Sequence, residues 1–237
     1  MCKKGLLIAL ILLWGIFINQ WVIEAEEKVD KGLCAYWSFD EGKGQIAFDK
    51  SKNANHAVIH GARWVKGKFG SALYFDGIDD YVDCGNDQSL NSPEKEITIS
   101  LWFKPSITYD DAFKGELLCK NYYLYFHRGH ILFSYFCGGK DFAYLRTTQN
   151  EWEEGKWYHI VAVYDYDLAE MKIYINGVLD NCGDHPRAIV GSPHKHLTIG
   201  IGDTKSYFKG TIDEVRIYNR VLSMEEIKSL YEKNKIE

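Results

Sequence analysis

Residues 97–105 (ITISLWFKP) alternate strictly: Ile97, Ile99, Leu101 and Phe103 fall on one side of an extended chain, and Thr98, Ser100, Trp102 and Lys104 on the other. A period of two marks a strand with one face against a core. Residues 157–165 (WYHIVAVYD) are apolar on both sides, as a central strand covered twice would be. In 171–179 (MKIYINGVL), Asn176-Gly177 separates two apolar runs, the strongest short-range hairpin signal. Asp165 to Glu170 turns one strand into the next, and RGHILF (128–133) reads as a further hairpin through Arg128-Gly129. Many short strands divided by Gly, Asn and Asp turns, with only four prolines, predict an antiparallel two-sheet sandwich. The end of the chain differs. Ser223-Met224-Glu225-Glu226 is a capping box, and Ile227, Leu230 and Tyr231 recur at helical spacing, so a short amphipathic helix closes the sequence.

Lys3 and Lys4 precede an apolar run from Gly5 to Ile18, which is broken by Asn19 and Gln20. This is the pattern of an export signal, and the run is short for a membrane span, which needs roughly 20 apolar residues. Residues 1–25 are expected to be a signal peptide cleaved near Ala25 or an uncleaved N-terminal anchor, residues 26–32 (EEKVDKG) a linker, and residues 33–237 a single domain. Either fate of the leader places the domain outside the cytoplasm, secreted or anchored, with any membrane contact made through that segment alone.

Three further phrases couple β-branched or aromatic residues to a fixed set of Asp and Gly: YWSFDEGKG (36–44), ALYFDGIDDYV (72–82) and GTIDEVRIYNRVLS (210–223). In order and spacing across residues 33–232, they and the strands above resemble the laminin-G-like jelly-roll family, the concanavalin A-like lectin/glucanase sandwich. The resemblance implies an all-β jelly roll whose usual work is recognition, with hydrolysis in some branches.

The resemblance also implies a structural calcium, held where an early Asp/Asn loop meets an acidic residue of the last strand. Asp49, Asn53 and Asn55 in DKSKNANH place oxygen-bearing side chains at alternate positions, as loops that wrap hard cations do. Asp213 occupies the last-strand position, and Asp76 of the FDG turn is a further candidate ligand. The same loop residues also suit Asx-turns. Asp79, Asp80 and Asp83 around Tyr81 read as a solvated strand edge.

Aromatic residues crowd one central stretch. Tyr123 and Tyr125 alternate with Leu124 and Phe126, which sets one face toward a core and leaves the other for ligand, and Tyr144 lies on a later strand. Sugar rings present apolar C–H faces, so a lectin-like site pairs stacking aromatics with hydrogen-bonding side chains; Arg128, Asp141 and Arg146 are the polar candidates. Catalytic alternatives are poorly supplied. A glycosidase needs two carboxylates about 5–10 Å apart across a cleft, and the nearest string, Asp165-Tyr166-Asp167-Leu168-Ala169-Glu170, falls in the expected turn. Eight scattered histidines and no G-x-S-x-G elbow leave no nucleophile with its base, and His159 reads as a hydrogen-bonded core residue.

A net charge of -5 with no basic tract excludes a nucleic-acid footprint. Of six cysteines, Cys2 belongs to the leader, and five is an odd number for an oxidising compartment. Cys119 and Cys137 flank Arg128-Gly129 almost symmetrically, so a continuous hairpin pairs them as a disulfide unless Lys120-Asn121 interrupts the strand. Three functions follow in order: a non-catalytic module binding polysaccharide or glycoconjugate, an adhesion or structural module recognising cell-surface protein, and a divergent glycoside hydrolase.

Overall fold

The computed structural model describes residues 30–91, 95–107, 114–138, 141–187 and 195–232, without the side chains of 136–138 and 141. Two units divide the chain, Met1–Leu33 and Cys34–Glu237. Of the first only Asp30–Leu33 is described, and the expected leader and the first part of the expected linker lie outside the described residues.

In chain order the strands are β1 (Leu33–Trp37), β2 (Ile46–Ala47), β3 (Ala57–His60), β4 (Arg63–Lys66), β5 (Ser71–Asp76), β6 (Tyr81–Asp83), β7 (Glu96–Pro105) and β8 (Gly115–Cys119). They continue with β9 (Tyr122–His127), β10 (His130–Gly138), β11 (Asp141–Arg146), β12 (Tyr158–Asp165), β13 (Glu170–Ile175), β14 (Val178–Asp184), β15 (Thr198–Ile199) and β16 (Lys209–Tyr218), and helix α1 (Met224–Glu232) follows. One sheet runs β14-β13-β12-β7-β16-β5-β4, with β1 also paired to β16; the other runs β11-β10-β9-β8-β15-β6-β3-β2. Neighbours along both paths are antiparallel. The jelly-roll sandwich expected from the sequence is the fold observed.

Both two-residue hairpins form where expected. Arg128 (φ 53°) and Gly129 (φ 75°) join β9 to β10, and Asn176 (φ 52°) and Gly177 (φ 77°) join β13 to β14. Positive φ at both central residues is the primed geometry that matches strand twist. The core between the sheets is aromatic, with Trp37, Phe39, Phe75, Phe103, Phe126 and Phe133 all sealed from solvent.

Strand β7 departs from the single buried face that its alternation predicts. Thr98, Ser100 and Trp102 are buried as well. The cover comes from residues distant in sequence: Tyr231 of α1 stacks on Trp102 at 5.6 Å and Phe69 packs edge-on at 5.7 Å. Helix α1 is held in turn by its capping box, Glu226 N–H donating to Ser223 Oγ (3.3 Å) and Ser223 N–H to Glu226 Oε2 (2.8 Å). His159 on β12 is the buried hydrogen-bonded residue expected, with Nε2 2.9 Å from Ser100 Oγ.

Strand β6 is not the edge that its acidic residues suggested. It lies between β3 and β15. Asp80 is buried there and accepts the Asp76 N–H at 2.8 Å, while Asp83 meets His196 Nδ1 at 2.9 Å. The Cys119–Cys137 pairing also fails, because the chain already reverses at Lys120-Asn121, where Lys120 N–H donates to Tyr122 O at 2.9 Å. Cys119 ends β8 and Cys137 lies on β10, with β9 between them. Two strand spacings are about 10 Å, beyond the ~7 Å reach of a disulfide. Cys119 is a free thiol.

Candidate functional site

The outward faces of β8 to β11 and the loop after β15 enclose a groove of about 280 Å³. Its walls follow from strand alternation. On β9, Tyr122, Leu124 and Phe126 are buried, which turns Tyr123 and Tyr125 outward. On β11, Ala143 and Leu145 are buried, and Phe142 and Tyr144 are 52% and 57% exposed. Register then sets these side by side: Ser134 lies opposite both Tyr123 and Tyr144, so the two phenols flank one small residue. A serine between two aromatics leaves the floor of a trough. Tyr123 and Phe142 meet edge to face at 5.9 Å.

A bulge in β8 supplies the polar floor. The β8–β9 register slips between Glu116 and Leu118, so Leu117 and Leu118 both enter the core while Glu116 faces the groove opposite Tyr125. Only 8% of Glu116 is exposed. Ser206 Oγ donates to its Oε1 at 3.3 Å, and its Oε2 has no hydrogen-bond partner. Burial pushes this carboxyl up to about 8, against the pull of the Ser206 hydrogen bond.

The far wall is ionic. Tyr123 Oη donates to Asp203 Oδ2 at 2.9 Å, Lys195 Nζ donates to Tyr123 Oη at 3.1 Å, and Lys195 is ion-paired with Asp203. The Lys195 ammonium also lies 4.5 Å from the centre of the Tyr123 ring, a cation–π contact that fixes the ring plane. Lys114 and Thr204 complete the rim.

Of the six ligand-binding residues expected, the groove thus joins Tyr123, Tyr125 and Tyr144. Arg128 sits at the tip of the β9–β10 hairpin and is not among the lining residues. Arg146 is on the outward face of β11 opposite Leu132, beyond the lining. The side chain of Asp141 lies outside the described residues. Glu116, Asp203 and Lys195 carried no pattern in the sequence; a lone glutamate in GELLC was the one available sign of the first.

The expected calcium ligands do not share a shell. Asp49 accepts from Tyr36 N, Ser51 N, Ser51 Oγ and Asn55 N, which fills the four lone-pair sites of a carboxylate. Asn53 and Asn55 donate their side-chain amides to Cys34 O. Asp49 thus makes the Asx-turn expected as the alternative, and Asn53 and Asn55 tie the loop to β1. Asp213 Oδ2 accepts from Lys68 and Phe69 N–H, and its Oδ1 is buried without a partner. Asp76 groups instead with Asp79 and Asp80, their carboxylate oxygens within 4.8 Å of one another. These residues do not fit one calcium held by all five.

A second polar cluster lies on β16. Arg216 is ion-paired with Glu214 (2.5 Å), Tyr36 Oη donates to Glu214 Oε1 (2.9 Å), and the guanidinium stacks 3.8 Å from the Tyr36 ring centre. Every member except Tyr36 is buried, and the cluster ties β1 to β16. The Asp165–Glu170 string forms the turn expected of it: Asp165 Oδ1 accepts the Leu168 N–H, and Glu170 is ion-paired with Lys172.

No curated protein matches significantly. Among solved structures, the binding domain of Paraclostridial Mosquitocidal Protein 1 superposes with a TM-score of 0.72 at 16% identity, over 86% of this chain and 53% of that one. This chain thus spans about half of that structure. Domain 4 of AbnA, an extracellular arabinanase from Geobacillus stearothermophilus in complex with arabinotriose, gives 0.67 at 21% identity over 84% and 98%. The binding domain of Botulinum Neurotoxin DC in complex with SialylT gives 0.67 at 12% identity over 88% and 53%. A family model described as Laminin_G_3 matches residues 76–228, and the chain belongs to the concanavalin A-like lectin/glucanases superfamily.

Proposed function

We propose that this domain binds carbohydrate without cleaving it, and that the groove over β8–β11 is its binding site. The carrying observation is the set of four outward aromatic side chains, two of them more than half exposed, gathered around a buried carboxyl with an unpaired oxygen. Apolar ring faces stack on aromatics, and a few fixed polar groups orient the hydroxyls. Two structural neighbours of the same fold hold arabinotriose and SialylT, which supports a glycan partner here. A location outside the cytoplasm rests on the Lys3-Lys4 leader.

Hydrolysis is the competing reading, because burial keeps the proton on Glu116 near neutrality, as a general acid requires, and Asp203 is a second carboxylate on the same groove. Asp203 Oδ2, however, is tied to Lys195 and Tyr123, a contact that serves to hold the loop to β9. A glycan array probed with the purified domain, followed by a reducing-end assay on each bound glycan, tests both. Retention with no release of reducing ends is expected; release would establish the hydrolase.

A further inference from the structure

We propose that Glu116 is the specificity-determining residue of the groove: its unpaired Oε2 receives a hydroxyl on the edge of a sugar ring stacked against Tyr125, so the groove selects neutral glycans by hydroxyl configuration. The proposal rests on the binding reading above and deepens it. Glu116 is 8% exposed, faces the groove, and leaves Oε2 without a partner while Oε1 is anchored by Ser206. Buried polar atoms in native proteins are nearly always paired, so an unpaired oxygen on a side chain that lines a groove marks where a ligand atom belongs. Its placement restricts that atom. Glu116 and Tyr125 are direct register partners, so a ring lying on the tyrosine brings its edge to the carboxyl. Sugar hydroxyls radiate from that edge, whereas the ring faces are C–H.

The surroundings keep the carboxyl in place. A methyl group at Gly202 would fall 2.1 Å from Glu116 Cγ, so the bare backbone there is what gives the side chain its room. Burial holds the proton on this group near neutrality, which lets it donate to or accept from a hydroxyl. A site built to hydrogen-bond a hydroxyl rejects analogues that misplace it far more strongly than an apolar platform does.

The test is isothermal titration of wild type, Glu116→Ala, Glu116→Gln and Tyr144→Ala with arabinotriose, maltotriose and cellotriose, and with the strongest neutral oligosaccharide from the array. Wild type is expected to discriminate at least about tenfold between best and worst ligand, a ratio that Glu116→Ala collapses toward one; Tyr144→Ala is expected to weaken every ligand and leave the ratio standing. Glu116→Gln preserves the shape of the site and guards against misfolding as the cause. An unchanged ratio in both Glu116 variants would overturn this assignment while the groove still bound glycan. Failure of wild type to bind any oligosaccharide would overturn the binding reading with it.

Discussion

Tyr123 and Asp203, 80 residues apart, are joined by a 2.9 Å hydrogen bond from phenol to carboxylate, with Lys195 bonded to both. One contact therefore links the aromatic platform of β9 to the loop after β15. The groove is a product of long-range pairing, with one wall set by strand alternation and the other by a loop that an ion pair holds in place.

Truncation separates platform from core among the tyrosines. Tyr122 is 1% exposed and Tyr144 is 57% exposed, although both lie in the same aromatic stretch. Tyr122→Ala is expected to cost about 3–5 kcal/mol, as buried aromatic deletions do, and Tyr144→Ala within about 0.5 kcal/mol. Thermal or urea unfolding of each variant measures this, and equal losses would place Tyr144 in the core.

Gly202→Ala probes the space beside Glu116. The added methyl collides with Glu116 Cγ and Cδ, so the carboxyl is expected to leave the groove floor, with loss of ligand affinity and about 1–3 kcal/mol of stability from overpacking. Combining it with Glu116→Ala removes the collision. The double variant is then more stable than the sum of the singles, a coupling that unfolding curves of the four proteins detect.

Stability is expected to fall as pH rises through neutrality. Burial pushes Glu116 and Asp213 up to about 8, from ordinary values of 4.5 and 3.8. Between those values and 8 the folded chain binds protons that the unfolded chain releases, so the slope of stability with pH is negative. His159, pushed down to about 3 from 6.5 by burial, acts oppositely, and its stabilisation is lost as pH falls from 6.5 toward 3. Of these three groups, the carboxyls alone act between 6.5 and 8. Melting temperature is expected to drop over that window, and Glu116→Gln to flatten the drop; a slope unchanged by the variant would contradict the assigned cause.

Much of this arrangement was legible in local pattern. Asn176-Gly177, Arg128-Gly129 and the Ser223 capping box announced themselves because turn and cap chemistry spans only a few residues. Tyr123 and Tyr125 were readable as outward by alternation with Leu124 and Phe126. What escaped depends on neighbours distant in sequence: the second buried face of β7, sealed by Tyr231 and Phe69; the interior place of β6; and the groove wall at Asp203, which Lys195 pairs. The spacing at Asp49, Asn53 and Asn55 serves the loop in a way the sequence does not display, since the Asp49 carboxylate gathers N–H groups of its own loop and the two amides reach Cys34 of β1.

The thiols are expected to differ in reactivity. Cys182 is exposed, whereas Cys84 and Cys119 are buried, with burial pushing Cys119 up to about 12. Maleimide should therefore modify Cys182 rapidly in the native protein, and Cys84 and Cys119 only after denaturation. Peptide mapping at short times reads this directly, and early labelling of Cys119 would contradict its packing against Asp203.

Affinity electrophoresis through gels containing soluble polysaccharide tests the binding groove most directly, with wild type run beside a Tyr125→Ala, Tyr144→Ala double variant whose fold is confirmed by its melting curve. Wild type should be retarded by at least one neutral polysaccharide and the double variant should migrate as in an empty gel. Equal retardation of the two, with the variant folded, would place the glycan elsewhere on the domain and contradict the groove.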